Sequence, residues 1–130
     1  MRELHFKMLF ILAVNQPNEN ADKAFLAEHG IHVSNPACIG AYKGKLELAY
    51  LIPCDQDTRA EVEASVLQAA KAANQESVLF LDSEREAYLI FVDNRDTGHI
   101  GTWSGIDSAE AASLDAWTLN RETGQYYTVR

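Results

Sequence analysis

Several things are scarce in this sequence. Cysteine occurs only twice in 130 residues, at Cys38 and Cys54, and no Cys-x-x-Cys pair exists. A disulfide framework is therefore not expected, and a reducing cytoplasm is the default setting. Basic residues number 11 against 19 acidic ones, a net charge of -8. That balance argues against duplex nucleic acid, whose binding depends on neutralising phosphates. The longest apolar run, Met8 to Val14, is too short to span a bilayer. Arg2 and Lys7 in front of it give it a passing likeness to a signal peptide. But Glu3, His5 and Lys7 alternate with apolar residues, and a polar Asn15-Gln16-Pro17-Asn18 follows in place of a cleavage site. A strand is the better reading, and no membrane partner is expected.

What the chain does have is an ordinary globular composition, 47% apolar and 23% charged. Its length fits one domain, 1–130, that buries roughly two-thirds of its unfolded surface. Leu4 to Val14 alternates and then turns continuously apolar, as a strand entering a core does. Asn20 to His29 predicts a short helix capped by Asn20 and stopped by Gly30. Ala37 to Tyr42 and Lys45 to Ile52 predict a hairpin turning at Lys43-Gly44, with Leu46, Leu48, Tyr50 and Ile52 on one face. Thr58 to Asn74 predicts a second helix, with a Thr58/Glu61 capping box and a stripe of Val62, Val66, Ala69, Ala70 and Ala73. Glu76 to Asp82 and Glu86 to Asp93 read as strands, and Thr97 to Ile106 as an irregular glycine-rich loop. Leu114 to Asn120 and Gln125 to Val129 form a terminal hairpin turning at 121–124. The expected fold is α+β: a ferredoxin-like β-α-β-β-α-β core with additional C-terminal strands. Such a sheet leaves one face open, so a second copy of the chain is expected to cover it.

The familiar catalytic patterns fail on spacing. Gly98, Gly101 and Gly105 do not form a dinucleotide loop, and no Walker loop is present. Ser104 misses the nucleophile-elbow spacing by one residue. Arg95 occupies a ligand position in the calcium-loop-like Asp93 to Gly98, where its charge would repel the metal. Gly30 separates His29 from His32, so the two do not share a helical face with which to hold a metal beside Cys38. Two carboxylates remain: Glu47, set within an apolar strand, and Glu76, opening another. Together with the Tyr42 phenol they suit a cationic ligand through charge and cation–π contacts. The other reading of each acid is plain, a solvent-facing charge on a strand.

These residues also form a recognisable pattern. Gly40-Ala41-Tyr42-Lys43-Gly44-Lys45-Leu46-Glu47-Leu48-Ala49-Tyr50 resembles the G-x-Y-x-G-x-x-E-x-x-[FY] segment of bacteriophage S-adenosylmethionine (SAM) degrading enzymes, the SAM lyases formerly described as hydrolases. Asn74-Gln75-Glu76-Ser77-Val78-Leu79 is similar to their helix-to-strand junction. Asp115 to Leu119 and Gly124 to Val129 are similar to their C-terminal hairpin. The resemblance runs from Ile39 to the end of the chain. It implies a PII-like homotrimer with SAM bound between subunits, Glu47 and Glu76 as catalytic acids, and Tyr42 and the loop holding Asn15 as substrate-binding. It also implies no metal and no cofactor, and action in the host bacterial cytoplasm. The products would be methylthioadenosine and homoserine lactone, and the benefit would be anti-restriction. Two other readings stand beside this one. A non-catalytic small-molecule binding module would use the same cleft, and an acidic inhibitor would imitate DNA. The second needs a dense carboxylate stripe, whereas Arg59-Ala60-Glu61 and Glu84-Arg85-Glu86 interleave the charges.

Overall fold

The computed structural model describes residues 7–33 and 35–130, so the part of the first predicted strand before Lys7 lies outside the described residues. The chain runs β1 (Met8–Leu12), α1 (Glu19–Glu28), β2 (Cys38–Tyr42), β3 (Lys45–Cys54), α2 (Arg59–Ala72) and β4 (Ser77–Leu81). It continues through β5 (Glu86–Phe91), β6 (Thr97–Ile106), α3 (Ser108–Ala112), β7 (Ala116–Asn120) and β8 (Gln125–Val129). All ladders are antiparallel, and they close into one barrel in the order β1-β3-β2-β7-β8-β6-β5-β4.

This overturns the ferredoxin-like expectation. The strands that would be the edges of an open sheet, β2 and β4, are each paired onward, β2 with β7 and β4 with β5. The second face of the sheet therefore lies inside the barrel, and the argument that another copy must cover it lapses. The reason is β6. The segment read as an irregular loop is a ten-residue strand whose first half pairs with β5 and whose second half pairs with β8. It joins the two halves of the wall and removes the edges.

The apolar run of β1 makes sense in this frame, because the strand is buried on both sides. Phe10 and Leu12 point outward under the helices, with Tyr50, Ile52, Val78, Phe80, Leu26, Val66, Ala69 and Ala70 in the larger core. Leu9 and Ile11 point inward, beside Ala49, Leu51, Leu79, Leu81, Ala87, Trp103 and Val129. The alanines of α2 let that helix lie close against β1 and β4.

Local signals were partly displaced. Asn18, not Asn20, caps α1, its side chain accepting from Ala21 N at 2.8 Å. The stop at Gly30 (φ +79°) is a Schellman turn, with Ile31 N donating to Leu26 O and Gly30 N to Ala27 O. Thr58 precedes α2 but makes no side-chain cap; its hydroxyl donates instead to Asp55 at 3.0 Å. The β2–β3 turn has Lys43 and Gly44 both at positive φ, +50° and +81°, the tight two-residue form that matches strand twist.

Candidate active site

The site begins where β1 ends. Leaving the barrel, the chain must turn into α1, and a buried carboxylate fixes that turn. Asp22, 1% exposed, accepts from Gln16 N at 2.8 Å and from the Tyr50 hydroxyl at 2.8 Å. Two hydrogen bonds and the nearby N-terminus of α1 offset the cost of burying it. Burial first, and then its bond to Asp22, push the Tyr50 phenol well above its ordinary pKa, so it stays a donor. Held this way, Asn15 takes a left-handed φ of +50°, a conformation asparagine tolerates well. Its amide Nδ2 donates to Glu47 Oε2 at 3.2 Å.

β3 presents Glu47 on the inner face, in phase with Ala49 and Leu51, and Tyr50 on the helix face. Register places Gly40 directly opposite Glu47, followed around the wall by Thr118 and Tyr127. Gly40 has no side chain to fill the space beside the carboxylate. Thr118 and Tyr127 also line an interior cavity of about 330 Å³, with Leu9, Cys38, Leu51, Arg85, Trp103 and Asn120. Trp103 and Tyr127 are stacked there, ring centres 5.0 Å apart. Burial pushes the Cys38 thiol up, which keeps it an unreactive wall of the cavity. Beside it, the Arg121 guanidinium bonds both Glu19 oxygens at 2.8 and 2.9 Å and the Ala37 carbonyl, tying the β7–β8 turn to α1.

Of the four residues singled out from sequence, the fold brings two into contact: Asn15 and Glu47. Tyr42 lies on the same inner phase as Glu47, one non-adjacent pair further along β2, and is 61% exposed. The Lys43 ammonium sits 5.2 Å from its ring centre, a cation on one face of a ring that has two. Glu76 immediately precedes β4, at the end of the barrel where β1 leaves, and its carbonyl accepts from Val92 N at 2.9 Å. Its position is out of phase with the inner residues Ser77, Leu79 and Leu81. Among the described residues no hydrogen bond joins its carboxylate to Asn15, Tyr42 or Tyr50. Asp22 escaped the sequence reading. Tyr50 is the last aromatic of the Gly40 to Tyr50 pattern and lies on the apolar face of its strand, but nothing in a one-dimensional pattern pairs it with Asp22. Among the described residues, no three His, Cys, Asp or Glu side chains gather as a metal site.

The described residues thus present an exposed carboxylate bonded to an amide at one end of a closed barrel whose interior holds stacked aromatic rings. The model of the S-adenosylmethionine lyase family matches residues 11–130, nearly the whole chain. The chain belongs to that family and is an enzyme with SAM lyase activity. No curated protein matches it. No helix among the described residues is long and apolar enough to cross a membrane.

Proposed function

We propose that this enzyme cleaves SAM by turning the substrate's own carboxylate on its γ-carbon, with Glu47 as the group that holds the reactive bend. The carboxylate oxygen forms a bond to Cγ as the Cγ–S bond breaks, and the bonding pair leaves on sulfur. The products are homoserine lactone and methylthioadenosine, and no proton moves. The sulfonium is already a good leaving group, so no strong nucleophile or general base is required. The enzyme's task is conformational. Holding the carboxylate near Cγ supplies several kcal/mol through effective molarity.

Glu47 suits this task by binding the substrate ammonium, which fixes the amino acid end of the chain. The observation that carries the reading is the Asn15–Glu47 hydrogen bond, which leaves one carboxylate oxygen directed elsewhere. Tyr42 supplies an aromatic face for the cationic substrate on the same inner phase. We assign Glu76 a second orienting role in a neighbouring subunit's site, because its position is out of phase with the inner face of its own barrel. No metal or cofactor is needed by this chemistry, and SAM is the only ligand it requires. We further propose a homotrimer, in which a neighbouring subunit covers the exposed Tyr42 and Leu46, 61% and 63%, and completes the site. Nucleic acid is not a partner at a net charge of -8. The proposed setting is the cytoplasm of a phage-infected bacterium, where removing SAM starves restriction and methylation systems. The two free, buried cysteines suit that compartment.

The test is to incubate the purified protein with SAM and EDTA and follow the products by mass spectrometry. Methylthioadenosine with homoserine lactone as the first product is expected. Homoserine appearing first, without lactone, makes the enzyme a hydrolase, and intact SAM overturns the reading.

A further inference from the structure

Three hydrogen bonds and two short stretches of chain form a closed circuit that begins and ends on β3. The Tyr50 hydroxyl donates to Asp22 at 2.8 Å, and Asp22 accepts from Gln16 N at 2.8 Å. The next residue, Asn15, donates to Glu47 at 3.2 Å, and Glu47 returns to Tyr50 along three residues of the strand. One strand thus grips the same loop from its two faces, with Tyr50 on the helix side and Glu47 on the inner side. Tyr50 and Asp22 are each 1% exposed and cannot touch a substrate at the mouth. We propose that the buried Asp22–Tyr50 pair is a positioning device for catalysis, setting Asn15 and through it the rotamer of Glu47. This rests on the assignment of Glu47 to the substrate made above.

The physical argument concerns how an exposed carboxylate keeps one geometry. A glutamate on a solvent-facing strand end samples several rotamers, and only one of them presents its free oxygen correctly. Asn15 selects that rotamer, but Asn15 itself sits in a loop; its φ of +50° suits an asparagine, yet its position must be held through its neighbours. Gln16 N–H bonded to Asp22 supplies that hold. Asp22 needs its second partner, because a buried carboxylate oxygen left without a donor draws in water or moves. The phenol fills that place and, with its pKa raised, does not lose its proton at any working pH. A second fastening lies on the same loop, where Gln16 Nε2 donates to Val14 O at 2.8 Å.

The experiment compares Tyr50→Phe, Asn15→Ala and the double variant by steady-state kinetics with SAM, at least 15 °C below each melting temperature. Asp22→Asn serves as a second variant if Tyr50→Phe folds poorly. Tyr50→Phe is expected to lower kcat about tenfold while KM stays within about twofold. Asn15→Ala is expected to do the same, and adding Tyr50→Phe to Asn15→Ala should cost less than a further twofold, because the circuit is already open. A purely structural phenol predicts the opposite: unchanged kcat in the folded single variant, or losses that multiply in the double. Either result overturns the positioning role. If Glu47→Gln keeps wild-type turnover, the site assignment fails instead, and the two failures are distinguishable.

Discussion

Glu47 has little to do with holding the fold together. It is exposed, its described side-chain partner is one amide, and Gly40 opposite it leaves space on the inner face. A residue so placed is free to be spent on the substrate. Glu47→Gln should therefore lower kcat by about 30-fold to 1000-fold, the usual loss when one charged contact made in the transition state is removed. The melting temperature should stay within about 2 °C, as surface substitutions away from buried features do. Thermal melts beside initial rates check this, and a parallel loss of stability and activity would make Glu47 structural. This acid was legible in the sequence because a carboxylate interrupting an apolar strand is visible to a pattern of period two. Asp22 was not, since it is one of two acids in a polar first helical turn. Only the arrival of Tyr50 from 28 residues away makes it a buried, doubly bonded group.

Among the elements, the hairpins and α2 were read nearly to their ends, and β6 was missed. Its glycines are the reason. Gly98, Gly101 and Gly105 dilute the alternation of Thr97 to Ile106 and look like turn residues. In the fold two of them record close approach. A Cβ on Gly101, which has φ +142°, would lie 2.9 Å from Val129 Cγ1 and 3.1 Å from the Arg130 backbone. At Gly105 it would come within 3.3 Å of the Gln125 amide. Gly101 also stands next to the register shift at Ala87/Tyr88, where β6 changes direction between its two partners. Gly101→Ala combines strained backbone with overlap against the Val129 side chain and a tight approach to the Arg130 backbone. It should cost about 1–3 kcal/mol of unfolding free energy, measured by urea denaturation. Gly98→Ala, with nothing within 4 Å of the added carbon and an ordinary φ, should leave stability within about 0.5 kcal/mol. Equal effects from the two would mean that β6 does not make the tight crossing described.

At the scale of the whole molecule, closure is what the sequence concealed, because pairing between β6 and β8, or between β2 and β7, is set by contacts distant along the chain. One ion pair also reports on it. A backbone bond from Ala37 and the Arg121 guanidinium hold the Glu19 carboxyl below its ordinary value of 4.5. The folded state therefore binds fewer protons than the unfolded chain in acid. This contribution is complete above about pH 4.5 and is lost as pH falls through the folded value. Arg121→Ala should flatten that part of the acid unfolding curve, by about 1 kcal/mol or less at a partly exposed site. The larger consequence concerns the C-terminal hairpin. If β1 to β4 and their helices were an independent open sheet, a chain ending at Asp115 would lose an appendage and still melt cooperatively. In a closed barrel the same truncation removes β7 and β8. It strips the ladder from one side of β2 and from the second half of β6, and uncovers Trp103, which packs on Tyr127 and Val129. Unpaired edges and an opened apolar interior are costs that a domain with only a few kcal/mol to spare does not absorb. The truncated chain should therefore lose its sharp thermal transition and bind a hydrophobic dye. A two-state melt within a few degrees of the full chain would show that the wall is not continuous. It would return the first four strands to the status of a fold in their own right.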